Sequence, residues 1–105
     1  MSQDSPSATD ILSLKLRLRP DIRVRHRSAG QREEYLLENP IQGKFYRLGL
    51  SEYALASQLD GTRSLEASLA AANRRLGSEA FTEQEAIAVC GWLVECDLVN
   101  GGDRL

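Results

Sequence analysis

The side chains best suited to nucleophilic, redox or metal chemistry are one histidine, His26, and two cysteines, Cys90 and Cys96. An enzyme needs a nucleophile, a base or a metal within reach of one another. The cysteines lie six apart in what reads as one helix. At about 100° and 1.5 Å per residue, that is about 240° around the axis and about 9 Å along it. Such a separation is too great for a bridge within one chain. With no C-x-x-C and a lone histidine, no familiar metal-ligand spacing can be assembled. The cysteines read as small buried hydrophobes in a reducing compartment. His26 continues the inward parity of a strand, so it reads as a hydrogen-bonded core or edge histidine. No glycine-rich phosphate cradle is present. The expectation is a protein that is not an enzyme, with no catalytic residues, no metal and no cofactor.

Binding chemistry has better candidates. Lys44-Phe45-Tyr46-Arg47-Leu48 reads as a strand, and its alternation is expected to leave aromatic and basic groups on opposite faces. As an edge strand it offers unpaired N–H and C=O groups to an added peptide strand. The competing reading is that the N-terminal segment covers that edge. Trp92, the sole tryptophan, falls at the boundary of a helix's apolar face, beside Glu95. A half-exposed tryptophan there serves either as an interface anchor or as a lid on a small core.

The elements that position these residues follow from periodicity. Residues 1–10 are rich in Ser, Asp, Pro and Thr and are expected to be disordered. Leu14 to Arg19 alternates leucine with cation, the signature of a half-buried strand. After Pro20-Asp21 the alternation resumes through Ile22, Val24 and His26 and ends at a Ser28–Gln31 turn. Glu34–Glu38 and Lys44–Leu48 follow as strands joined by Asn39-Pro40-Ile41-Gln42-Gly43. Three helices come next. The first has Ser51 as a plausible N-cap and ends at Asp60-Gly61. The second is capped by Ser64 and carries Leu65, Leu69, Ala72 and Leu76 on one face. The third opens with the Thr82-Glu83-Gln84-Glu85 capping box and buries Ile87, Cys90, Leu93 and Val94. Leu98-Val99 closes the domain. The fold class is α+β and winged-helix-like, a three-stranded antiparallel sheet followed by three helices, over residues 11–100.

At 105 residues this is one modest core, and no apolar run reaches the roughly 20 residues of a membrane span. The N-terminus lacks a secretory pattern, so the expected location is cytoplasmic. Charge is divided. Residues 11–50 hold nine Lys/Arg against four Asp/Glu, and residues 51–105 hold four against nine. A DNA-binding winged helix needs a basic recognition helix. The third helix carries Glu83, Glu85, Glu95 and Asp97, with no Lys or Arg between Thr82 and Val99. DNA is therefore the second reading, not the first.

The run of Arg19-Pro20-Asp21-Ile22-Arg23, the strand pair, Leu59-Asp60-Gly61-Thr62-Arg63-Ser64-Leu65 and Trp92-Leu93-Val94-Glu95-Cys96-Asp97-Leu98-Val99 resembles, in that order, the PqqD-like domains, or RiPP recognition elements. Phe45-Tyr46-Arg47-Leu48 followed by Ser51-Glu52-Tyr53 is similar to members at the cytosolic N-terminus of membrane-embedded zinc metallopeptidases and of membrane-fusion export proteins. The resemblance implies a peptide that adds as a strand beside Lys44–Leu48 and lies along the third helix. Carried over by position, Lys44, Phe45, Arg47, Gly91, Trp92 and Glu95 are the expected peptide-binding residues. It also implies that residues 101–105 are a tail or the start of a linker in a longer chain, which can itself supply the partner. The long Ile11–Arg19 segment departs from free-standing members and is the segment expected to compete for the edge. A third reading is a structural module that forms a homodimer through the same edge.

Overall fold

The computed structural model describes residues 7–101. A short helix α1 (Ala8–Leu12) leads to a two-residue strand β1 (Arg17–Leu18). Three longer strands follow, β2 (Arg23–Ala29), β3 (Arg32–Asn39) and β4 (Lys44–Gly49). They form an antiparallel sheet in the order β2-β3-β4. Helices α2 (Leu50–Ala56), α3 (Leu65–Leu76) and α4 (Glu83–Glu95) come next, and β5 (Val99–Asn100) is the last element among the described residues. The fold is α+β, a three-stranded antiparallel sheet followed by helices.

Both hairpins have local causes. Ala29 pairs with Arg32, leaving a two-residue turn in which Gly30 takes φ +66. A left-handed residue at the first central position matches the twist of the strands, and glycine adopts it without steric cost. The second turn is built on Asn39, which is fully buried. Its Oδ1 accepts from the N–H groups of Ile41 and Gln42 at 3.2 and 3.3 Å, while its Nδ2 donates to the Asp97 carbonyl at 3.1 Å. One buried amide thus shapes the β3–β4 turn and ties it to the end of α4.

The helices begin and end where side chains take over the unpaired backbone groups. Ser64 Oγ accepts from Ala67 N–H at 3.1 Å, and Thr82 and Glu85 form the reciprocal capping box. Asp60 accepts from both the N–H and the hydroxyl of Thr62, at 2.9 and 2.7 Å, with Gly61 at φ +83 completing the break. The core is leucine-rich. Leu37 and Leu48 from the sheet meet Leu55 and Leu59 near α2, Leu65 and Leu69 of α3, and Cys90 and Leu93 of α4.

Of the stretch expected to be disordered, residues 1–6 lie outside the described residues, and Ser7 and Asp10 form a capping box at the start of α1. Two expectations are corrected. Leu14–Arg19 does not join the main sheet. Its leucines do point inward, with Leu16 buried and Leu14 and Leu18 packed against the core. Its backbone, however, bonds to the ends of other elements: Leu65 N–H to Leu14 O at 2.8 Å, Leu18 N–H to Leu59 O at 2.8 Å, and Arg19 N–H to Leu98 O at 2.9 Å. Only Arg17–Leu18 forms a ladder, with β5. The N-cap of α2 is Gly49 rather than Ser51, and the Gly49 N–H donates to Glu52 Oε1 at 2.8 Å.

Candidate functional site

Strand β4 ends the sheet order, so among the described residues one of its sides faces no strand. The backbone groups on that side can be assigned by parity. Successive residues of an antiparallel strand aim their N–H and C=O groups to opposite sides. The Gly49 N–H bonds to Glu52, not to β3. The backbone groups of Phe45 and Arg47 therefore point the same way as those of Gly49, off the free edge, whereas Tyr46 and Leu48 bond to β3. Among the described residues, no hydrogen bond outside the ladder engages the backbone of Phe45 or Arg47. Among the described residues the N-terminal segment, from Ser7 to Arg19, does not cover this edge, because its backbone pairs with the helix ends and β5.

Beside the edge runs an open groove of about 330 Å³, lined by Arg47, Leu48, Glu52, Ala88, Val89 and Trp92. Its two walls are β4 and α4. The helix buries Ala86, Cys90 and Leu93 in the core, which leaves Ala88, Val89 and Trp92, at spacings of three and four, for the groove. Trp92 remains 37% exposed and meets Tyr46 edge-to-face, with ring centroids 5.8 Å apart at 85°. Tyr46 in turn donates its hydroxyl to Gln42 Oε1 at 2.9 Å. Partial burial, then the nearby Cys96 thiol, holds the Tyr46 phenol above its usual range. The tryptophan is thus held at one edge and open on the other.

The expected site residues divide by face. Lys44, Tyr46 and Leu48 share the inner face with Leu37, while Phe45 and Arg47 lie on the outer face with Leu36. Each face therefore holds one basic and one aromatic residue. This corrects the expectation that the two types segregate, since the alternation of Lys44 to Leu48 has period two and pairs Lys44 with Tyr46. Arg47 and Trp92 line the groove. Phe45 is 52% exposed on the outer face, so its main chain, not its ring, addresses the edge. Gly91 and Glu95 continue the outward stripe of α4 through Trp92 and lie beyond the groove lining. A Cβ at Gly91 would meet nothing within 4 Å. Leu48, Glu52, Ala88 and Val89 were not anticipated. The i, i+4 pair of Ala88 and Trp92 outside the core stripe was the available signal.

The reactive side chains stand apart. Burial pushes the Cys90 thiol up to about 12, which makes it inert as a nucleophile. Cys96 is half-buried and free, and burial followed by the charge of Glu95 raises its thiol too. His26 lies on β2, stacked on Tyr35 at 4.8 Å and bonded to Glu33. Tyr35 stacks in turn on Tyr53 at 4.0 Å, beside a second cavity of about 280 Å³ bordered by Leu50, Arg75 and Leu76. Among the described residues no group of three or more His, Cys, Asp or Glu is placed to hold a metal ion. No helix among them is long and apolar enough to cross a membrane.

No protein-family model, no curated protein and no solved structure matches this chain.

Proposed function

We propose that this domain is a non-catalytic peptide- or protein-recognition module of PqqD-like kind. An extended segment adds as a fourth strand to the free edge of β4 and lies along α4, with its inward side chains in the groove. The observation that carries the reading is the coincidence of two features. The unpaired N–H and C=O groups of Phe45 and Arg47 border an apolar groove whose far wall is Trp92 and Val89. Main-chain bonds supply affinity for any extended chain, and the groove supplies choice among side chains. The opposite edge, β2, carries Arg23, Arg25 and Arg27, charges of the kind that discourage edge pairing. In this reading the domain recruits a cargo segment, cytoplasmic in location, to a larger membrane peptidase or export protein of which it can be part.

The test is selection of twelve-residue peptides from a random display library on the immobilised domain. Binders selected on the parent protein are expected to fail on Phe45→Pro, which removes an edge donor, and on Trp92→Ala. Binders indifferent to both substitutions would overturn the reading. Duplex DNA titrated at low salt is expected not to bind, since α4 presents Glu83, Glu85 and Glu95 to solvent and these repel phosphate. Salt-sensitive micromolar binding would favour the DNA-regulator reading instead.

A further inference from the structure

We infer that the strand added to β4 carries an acidic side chain flanked on both sides by large apolar ones, with the acid beside Arg47. The inference rests on the strand-addition reading above. An added strand continues the alternation of the sheet, so its residue opposite Arg47 points to the outer face. Both neighbours of that residue then point inward, whichever direction the strand runs. The pattern of an acid between two apolar residues therefore requires no choice of polarity.

The two faces differ in what they accept. Inward positions enter the groove formed by Leu48, Ala88, Val89 and Trp92, which takes apolar side chains. Acids gain little there, because Glu52 borders the groove opposite Arg47, whose side chain lies on the outer face, and Glu85 and Glu95 are exposed on α4. The outer face is cationic. By register it holds Arg23, Arg25 and Arg27 of β2, together with Arg32 of β3 and Arg47 of β4. Among the described strand residues only Glu34 and Glu38 oppose them there, through long contacts of 3.8 Å from Arg47 and 3.9 Å from Arg23. Arg47 keeps 70% of its side chain exposed. Across the sheet, Arg25, Leu36 and Arg47 lie in one row, and the added residue extends that row next to Arg47. A carboxylate there forms a favourable cross-strand pair, and a lysine meets a like charge.

The experiment uses four capped peptides of equal length with threonine flanks. Their central triplets are leucine–glutamate–leucine, leucine–glutamine–leucine, leucine–lysine–leucine and serine–glutamate–serine. Fluorescence anisotropy at low ionic strength is expected to rank glutamate above glutamine above lysine, with about a tenfold span from first to last. The serine peptide is expected to lose most binding. Arg47→Glu should reverse the order, and Arg47→Gln, a milder change that keeps the fold if the reversal variant does not, should flatten it. Equal affinities for the three leucine peptides, or an order unchanged by both variants, would overturn the inference and leave strand addition standing. Undiminished binding of the serine peptide would overturn it as well. No binding of any of the four would overturn both readings.

Discussion

Trp92 is the residue on which the site turns. Its edge contact with Tyr46 and its 37% exposure place it between core and surface. Trp92→Ala should therefore destabilise by about 1–2 kcal/mol, less than the roughly 3–5 kcal/mol of a fully buried aromatic, while peptide binding falls much further. Chemical denaturation and anisotropy measured together check this. At Gly91 an added methyl meets open space, so Gly91→Ala should raise stability by about 0.5–1 kcal/mol through helix propensity alone. A destabilised Gly91→Ala would reveal a contact at that glycine. Asp60 makes a pH-dependent contribution. The Thr62 hydroxyl, then its N–H, holds the Asp60 carboxyl down to about 2 from 3.8. A depressed folded-state value means the stabilisation is complete above the unfolded value and is lost as pH falls through about 2. Asp60→Ala should lower the melting temperature near neutral pH, with the difference from the parent shrinking as pH drops from about 4 to about 2.

At the level of elements, what the sequence made legible was local and what it hid was pairing. Capping at Ser64 and Thr82 could be read because the cap and its acceptor lie three residues apart. The strands could be read because leucine and aromatic residues recur at period two. The partner of Leu14–Arg19 could not be read. Alternation specifies which side chains turn inward, and Leu16 obeys it, but the backbone partners of this segment are Leu59, Leu65 and Leu98, far along the chain. The α2 cap was misplaced because Ser51 is the commoner cap type, whereas Glu52 reaches back to Gly49. The expected peptide-binding residues came from the resemblance, and of them Arg47 and Trp92 line the groove; Ala88, Val89 and Glu52 needed three dimensions. The freedom of β4 follows from where Leu14–Arg19 goes, and it has a backbone test. The Phe45 N–H points off the edge, so proline there removes no ladder bond. Phe45→Pro should keep its far-UV spectrum and melt within a few degrees of the parent, yet lose strand addition. Loss of the fold would show that the Phe45 N–H bonds to β3 instead.

Over the whole molecule, charge and shape act together. The sheet half is basic and the helical half acidic, and the groove lies on the seam, with cations on the outer face of the sheet, Arg47 of β4 among them, and carboxylates along α4. In the proposed strand addition, a field of that kind would orient the incoming chain before it docks, an effect that weakens with salt. Arg19 fastens the two ends of the domain together. Its guanidinium donates to the Asp97 carboxylate at 2.7 Å and to Asp21 at 2.9 Å, holding the segment before β2 against the end of α4. The most direct test of strand addition is amide hydrogen exchange by NMR, with and without a saturating display-selected peptide. The expected result is rapid exchange at Phe45 and Arg47 beside protected Tyr46 and Leu48 in the free protein, and new protection at Phe45 and Arg47 once peptide is bound. Protection that leaves those two amides unchanged and appears elsewhere would contradict the account.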